Sequence, residues 1–305
     1  MIAIKKRLFF LNPVTWAIWL ALGSLWLITR LPYRAQKRIG IALGNFIYLC
    51  SPKLKHITTT NLKLCFPELS AEQIVELSKK NFASLGLGLI ETAMAWWLPQ
   101  QRLEQCSVTL TGIEYAEQAF TQGKGIILLS PHFTCLEMIG RLIGARYPLA
   151  AMYRPHKISA VAKIQERFRQ RYGIKHIARH RMRELLNTFN DNMAIWYAYD
   201  IDAGVKRSVF APFFGIPTAS LTAVSRLVEL TGTTIIPIEF YRRNDRWGYE
   251  IKLSPPLENF PSGDLTHDAG RLNQHLENAI RHKPEQYMWQ YKRFKTRPAG
   301  EARFY

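Results

Sequence analysis

One stretch of the chain brings an imidazole and a carboxylate to the end of an apolar run: Gly123-Lys-Gly-Ile-Ile-Leu-Leu-Ser-Pro-His132-Phe-Thr-Cys-Leu-Glu137. The run reads as a buried strand, Pro131 stops it, and a helical pattern starts just beyond. In open α/β sheets ligands bind outside the carboxyl ends of the strands. A helix beginning there adds free backbone N–H groups and a partial positive charge, so His132 stands where an anion or a developing oxyanion is favoured. Histidine can take a proton from a hydroxyl near neutral pH. A carboxylate behind the ring would fix its tautomer and stabilise the imidazolium, and Glu137 is the candidate for that work.

The spacing sets a condition. Five residues at 100° each place His132 and Glu137 about 140° apart on an ideal helix, so they cannot pair inside one. They meet only if His132 precedes the helix and its ring turns back over the first turns. The alternative is that His132 caps the helix and Glu137 pairs with Arg141, four residues on. Cys135 reads as a small buried hydrophobe rather than a nucleophile. With Cys50, Cys65 and Cys106 it forms no metal-ligand spacing and no disulfide framework, so neither a metal nor a bound cofactor is expected.

The elements that must hold this pair follow an α/β rhythm. Helical spacing over Arg34 to Tyr48 and Ala71 to Trp97, the latter with Ser70 as N-cap, makes a lead-in. Beyond Pro99 strands are expected at Gly125–Leu129, Leu149–Tyr153, Ile174–His176, Met193–Tyr199, Thr234–Phe240 and Tyr249–Leu253. Helices are expected at Phe133–Arg146, Ser159–Tyr172, Arg181–Asn190, Ala219–Leu230 and Asp268–His282. The predicted fold is a central, mostly parallel sheet flanked by helices, with an N-terminal membrane-anchor helix and a helical lead-in. The organisation read from this is an anchor over 1–32 and one domain over 33–305, with 33–100 as the helical lead-in and 101–305 as the α/β core.

The anchor is expected at Val14 to Thr29, an uncharged run with Lys5, Lys6 and Arg7 before it and Arg30, Arg34, Lys37 and Arg38 after it. At about 1.5 Å per residue it falls short of a hydrocarbon core of about 30 Å, unless Leu8 to Leu11 extend it, so spanning and shallow placement are both open. Flanking basic residues and the lack of a small-residue cleavage site disfavour a cleaved signal peptide. A net charge of +18 favours anionic partners. Its interleaving with Trp, Tyr and Phe suits a lipid interface better than nucleic acid, and free cysteines suit a body on the cytoplasmic face.

The HxxxxE of His132 and Glu137 resembles the HxxxxD/E signature of glycerolipid-type acyltransferases. Four further blocks resemble one branch, the late acyltransferases of lipid A biosynthesis that add lauroyl or myristoyl chains. They are Asn61-Leu-Lys-Leu-Cys-Phe-Pro-Glu68, Met152-Tyr-Arg-Pro155, Val209-Phe-Ala-Pro-Phe-Phe-Gly-Ile-Pro217 and Tyr287-Met-Trp-Gln-Tyr-Lys-Arg-Phe-Lys-Thr-Arg-Pro298. In order, they cover residues 58 to 298. Glu137 stands where many relatives have Asp.

The resemblance implies transfer of an acyl chain from acyl carrier protein to a hydroxyl of an acyl chain on a lipid A precursor, an anionic glycolipid of the bacterial inner membrane. The chain has a candidate base but no GxSxG elbow, consistent with direct attack on an already activated thioester. Arg154, after the Leu149–Tyr153 strand, suits a phosphate. Asp200, after the Met193–Tyr199 strand, reaches the same sheet edge, where it would order the turn to Gly204 and help bind substrate, a direct catalytic role being the alternative. Phe213, Phe214 and Gly215 are candidates for an acyl channel or for core packing. Arg293, Lys295 and Arg297, which alternate with Tyr291 and Phe294, suit phosphate at a bilayer interface, a solvated basic tail being the alternative. Acylation of another glycolipid or of a lysophospholipid, thioester hydrolysis, and noncatalytic membrane binding stay open at this level, as do chain length and oligomeric state.

Overall fold

The structure is a computed structural model that describes residues 13–153, 159–178 and 181–305. Among the described residues, four long helices precede the sheet, α1 (Pro13–Ile28), α2 (Tyr33–Cys50), α3 (Pro52–Cys65) and α4 (Ala71–Trp97), and a single helical turn at Gln100–Leu103 leads into it. Ser70 caps α4 as expected, in a capping box with Gln73 that satisfies a donor at each side. The packing of α2 on α4 depends on glycine. A Cβ on Gly44 would run into the Phe82 carbonyl, and one on Gly86 into the backbone of Gly40 and Gly44, so the two helices approach backbone to backbone.

The α1 helix lays Ile18, Leu22 and Leu25 against the core, at the i, i+4, i+7 spacing of one helical face. Trp19, Leu20, Trp26 and Leu27 on its remaining surface are exposed. Among the described residues no helix is long and apolar enough to cross a membrane. Lys5, Lys6, Arg7 and Leu8 to Leu11 lie outside the described residues.

The α/β body follows: β1 (Ser107–Thr111), α5 (Ile113–Phe120), β2 (Ile126–Ser130), α6 (Leu136–Gly144), β3 (Leu149–Tyr153), α7 (Ser159–Arg171), β4 (Ile174–Ala178), α8 (Met182–Asn190) and β5 (Ala194–Ala198). Next come β6 (Ser208–Phe213), β7 (Ile216–Leu221), α9 (Ala223–Thr231), β8 (Thr234–Arg242), β9 (Gly248–Leu253) and α10 (Leu265–His282). The main sheet has the order β1-β9-β8-β2-β5-β3-β4. From β8 to β4 the pairings are parallel, while β9 runs antiparallel to β8 and β1 pairs parallel to β9. Central β2 is buried along its whole length, which is why its sequence is continuously apolar rather than alternating.

Two expectations need correction. The helix placed at Ala219–Leu230 starts only at Ala223, because 219–221 complete β7. The missed β6–β7 hairpin turns through Phe214 and Gly215, both at positive φ, and pairs Pro212 opposite Pro217, so its sequence looks like a loop. The helix placed at Phe133–Arg146 starts at Leu136. Phe133 instead forms a β-bridge with Tyr287, and the Thr134 N–H donates to the Gln286 carbonyl at 2.9 Å. His132 therefore precedes the helix.

Candidate active site

Sheet register sets the core of the site. The strands β2 and β5 are parallel neighbours with Ser130 beside Ala198, so two residues further on His132 and Asp200 also come side by side. The His132 Nδ1 hydrogen-bonds Asp200 Oδ1 at 2.5 Å, and the His132 backbone N–H donates to Asp200 Oδ2 at 2.9 Å. Asp200 is fully buried, whereas the His132 side chain keeps 22% exposure. Burial opposes charge on both groups, but each offsets it for the other. The nearby carboxylate and its hydrogen bond raise the imidazole above its ordinary pKa. The imidazolium charge, His132 hydrogen bonds and a bond donated by Tyr287 lower Asp200. With Nδ1 committed to Asp200, Nε2 is the nitrogen left to accept a proton from substrate.

The C-terminal tail completes this site. The Met288 N–H donates to the His132 carbonyl at 3.0 Å, extending the bridge between Phe133 and Tyr287. The Tyr291 ring meets the imidazole edge to face, with centroids 5.4 Å apart. Behind the loop stands α4. A Cβ on Gly88 would collide with the Thr134 carbonyl, and Ser84 and Thr134 share a hydroxyl hydrogen bond at 2.8 Å. Glu91 on the same helix holds Arg242 of β8, with Arg242 Nε to Glu91 Oε1 at 2.7 Å, and also accepts from Tyr249. Arg242 reaches Ser84 and Thr134 as well.

Glu137 does not meet His132, contrary to the expectation. Its carboxylate takes a bidentate pair from Arg169 of α7, with Arg169 Nε at 2.7 Å, and accepts from Trp96 Nε1 at 3.0 Å. Glu137 lies on the first turn of α6 and pairs with Arg169 of α7 and Trp96 of α4, so the pair with His132 does not form even though His132 precedes the helix as that pair required. Burial is offset by Arg169, Trp96 and His176, and Glu137 is held below the ordinary glutamate value. Burial and Arg169 depress neighbouring His176 to about 4, against an opposing pull from Glu137. The alternative i,i+4 pair is not formed either, since Arg141 donates to the Met94 and Ala95 carbonyls and lies over the Tyr172 ring.

The other candidates are dispersed. Arg154 lies outside the described residues. The turn up to Gly204 is tied by Asp202, which accepts from the Gly204 and Thr296 N–H groups, and not by Asp200. Phe213 is fully buried against Phe294 and Phe214, in the core. Phe214 packs on Phe66 and under the Arg281 guanidinium, and Gly215 completes the hairpin turn. Arg293 is 2% exposed and donates to the Ala219 carbonyl, Ser220 and Asn273, so it locks the tail onto β7 and α10 instead of facing a lipid phosphate. Among the described residues, no cluster of three or more His, Cys, Asp or Glu could hold a metal. Burial pushes the Cys135 thiol up to about 12, which removes it as a thiolate nucleophile near neutral pH.

Sequence reading missed Arg169 and Trp96 as partners of Glu137, Tyr287 as a partner of Asp200, and Asp200 as the partner of His132. One signal was available: His132 and Asp200 each follow a strand end by two residues. Using it required knowing that β2 and β5 are adjacent.

Comparison with known proteins agrees with the motifs. The family model for bacterial lipid A biosynthesis acyltransferases matches residues 4–296. A lipid A biosynthesis palmitoleoyltransferase of Escherichia coli (strain K12) is 35% identical over 297 residues, covering 97% of this chain and 96% of that protein. The lipid A biosynthesis lauroyltransferase of the same strain is 34% identical over 291 residues, 95% of each chain. A lipid A biosynthesis acyltransferase of Haemophilus influenzae is 33% identical over 293 residues, 95% of this chain and 93% of that one.

Proposed function

The chain belongs to the bacterial lipid A biosynthesis acyltransferases, and on that footing we propose that His132 is the general base of a secondary acylation. The acceptor is a hydroxyl of an acyl chain already carried by a lipid A precursor, and the donor is an acyl thioester on acyl carrier protein. His132 Nε2 takes the hydroxyl proton as the oxygen attacks the thioester carbonyl carbon. The tetrahedral intermediate collapses with cleavage of the C–S bond, and the imidazolium returns the proton to the departing thiolate. No covalent enzyme intermediate is needed.

The observation that carries this reading is the 2.5 Å bond between His132 Nδ1 and buried Asp200. It fixes the tautomer that leaves Nε2 basic and supplies the charge that stabilises the imidazolium. Glu137 supports the site indirectly, by holding Arg169 and with it α7 against α6 and α4. Arg154, which follows β3 directly in sequence, is the proposed phosphate ligand.

The division into an anchor over 1–32 and an acyltransferase domain over 33–305 belongs to the same proposal. So does a place at the cytoplasmic face of the inner membrane, with the exposed tryptophans of α1 against lipid. An acidic carrier protein suits the chain's net charge of +18.

The test is transfer from acyl-acyl carrier protein to purified acceptors. His132→Ala should lose about 10²–10⁴-fold in turnover while staying folded. Wild-type turnover in that variant would defeat the base assignment. Acylation of lysophospholipid alone would remove the lipid A precursor as acceptor, and donor loss unaffected by any acceptor would make the protein a thioesterase.

A further inference from the structure

The tail that carries Tyr287 and Tyr291 is laced down by two fully buried asparagines. The Asn81 side-chain amide of α4 donates to the Glu285 carbonyl at 2.9 Å and to the Tyr287 carbonyl at 2.6 Å. The Asn61 amide of α3 donates to the Trp289 and Tyr291 carbonyls, each at 2.7 Å. Alternate carbonyls from 285 to 291 are thus held by two rigid helices. The Asn61 carbonyl oxygen in turn accepts from Tyr305, and that of Asn81 from Gln290.

Most large side chains on this tail are spent on packing. Tyr287, Trp289, Arg293 and Phe294 are each no more than 2% exposed. Tyr291 differs, being 43% exposed while its backbone is pinned by Asn61 and its ring lies against His132. A half-exposed aromatic adds little to the core, yet this one has a fixed seat against an imidazole that itself keeps 22% exposure.

We propose that Tyr291 is a positioning residue for acyl transfer: held by Asn61, its ring keeps the His132 imidazole seated on Asp200 with Nε2 aimed at the acceptor hydroxyl. This rests on His132 as the base, and adds that the base is oriented from two sides. Asp200 grips Nδ1 from the sheet, and Tyr291 blocks the swing of the ring toward solvent. Near-attack geometry is sensitive to displacements of about 1 Å, so loss of one wall acts on turnover rather than on binding. Among the described residues, Asp200 beyond β5 and Tyr291 on the tail meet His132, and Tyr287 on the tail bonds Asp200. Arg242 of β8 lies behind Thr134 and is paired with Glu91.

The experiment compares Tyr291→Phe, Tyr291→Leu and His132→Ala in the full chain, with acyl-acyl carrier protein and lipid A precursor in detergent micelles. Phe keeps the ring, so kcat should stay within about 3-fold and the pH limb should not move. Leu removes the wall. Its kcat should fall about 10- to 100-fold with acceptor KM little changed and melting temperature nearly constant. A looser ring pairs less well with Asp200, so the Leu variant's base limb should also shift to lower pH. The proposal is overturned if Leu keeps wild-type kcat, if Leu changes only KM, or if Phe is as damaged as Leu, which would make the hydroxyl the active part. Full activity in His132→Ala would defeat the base assignment itself, a result separate from these.

Discussion

Two acidic side chains stand near the His132 loop, Asp200 beyond β5 and Glu137 at the start of α6, and they are neutralised differently. Asp200 faces an imidazole, a group that can gain and lose a proton, which its carboxylate raises above the ordinary pKa and which keeps a path to solvent. Glu137 faces a guanidinium, which stays charged across the working range, and a tryptophan N–H. One carboxylate therefore belongs to a pair whose charge can change during a reaction, and the other to a pair whose charge is constant. Proximity in sequence to the histidine does not separate these roles. The partner's chemistry does.

The comparison breaks most sharply on pH. Asp200→Asn should reduce turnover by about 10²–10⁴-fold, since the imidazole loses both its orienting acceptor and its counter-charge. The sign follows from the shift. Asp200 raises the His132 pKa, so the wild-type base limb should lie above the ordinary imidazole value of about 6.5 and the variant's should fall to lower pH. A pH profile of kcat measures both, and an unmoved limb in Asp200→Asn would assign the charge coupling elsewhere.

Glu137→Ala should lose about 10²-fold through displacement of α7 and its surroundings, with the limb unmoved. Arg169→Ala should match it. The double variant should be little worse than either, because both remove one ion pair, and a double-mutant cycle on turnover and melting temperature reads that coupling. Additive losses would mean that Glu137 acts apart from Arg169.

Gly88→Ala sharpens the contrast from the opposite side of the loop. The added methyl presses on the Thr134 carbonyl, two residues from His132. It should cost about 1–3 kcal/mol in stability, read by denaturant unfolding, and lower kcat. Arg169 is not touched by this change.

The smallest effect concerns His176, beside the Glu137 pair. Its folded pKa of about 4 is below the ordinary value, so the unfolded chain binds more protons between pH 6.5 and 4. Its contribution is therefore complete above that window and is lost as pH falls through it. His176→Gln should flatten the decline of melting temperature over that range. An unchanged slope would place the acid sensitivity in other groups.

Much of the scaffold was legible because it is written locally. Buried parallel strands are continuously apolar, as in Ile126–Ser130, and the Ser70-x-x-Gln73 box marks the start of α4. The β6–β7 hairpin was not legible, since Pro212, Gly215 and Pro217 suppress the strand pattern and the residues after them resemble a helix. Arg293 was misread for another reason. A basic residue among aromatics looks the same whether it faces lipid or, as here, satisfies a buried carbonyl and hydroxyl.

By itself the sequence determined that an imidazole stands where a buried strand gives way to a helix, and its ordered blocks determined the family. Both are properties of neighbouring residues, because an apolar run stopped by Pro131 and a run of ordered blocks are read along the chain without knowing what packs on what. Only the tertiary structure decided which acid the imidazole meets. Asp200 is 68 residues from His132, and the two become adjacent because β5 pairs with β2, while Glu137, five residues away, pairs with Arg169 and Trp96. The same holds for Tyr291, which is brought to the ring by asparagines on two distant helices.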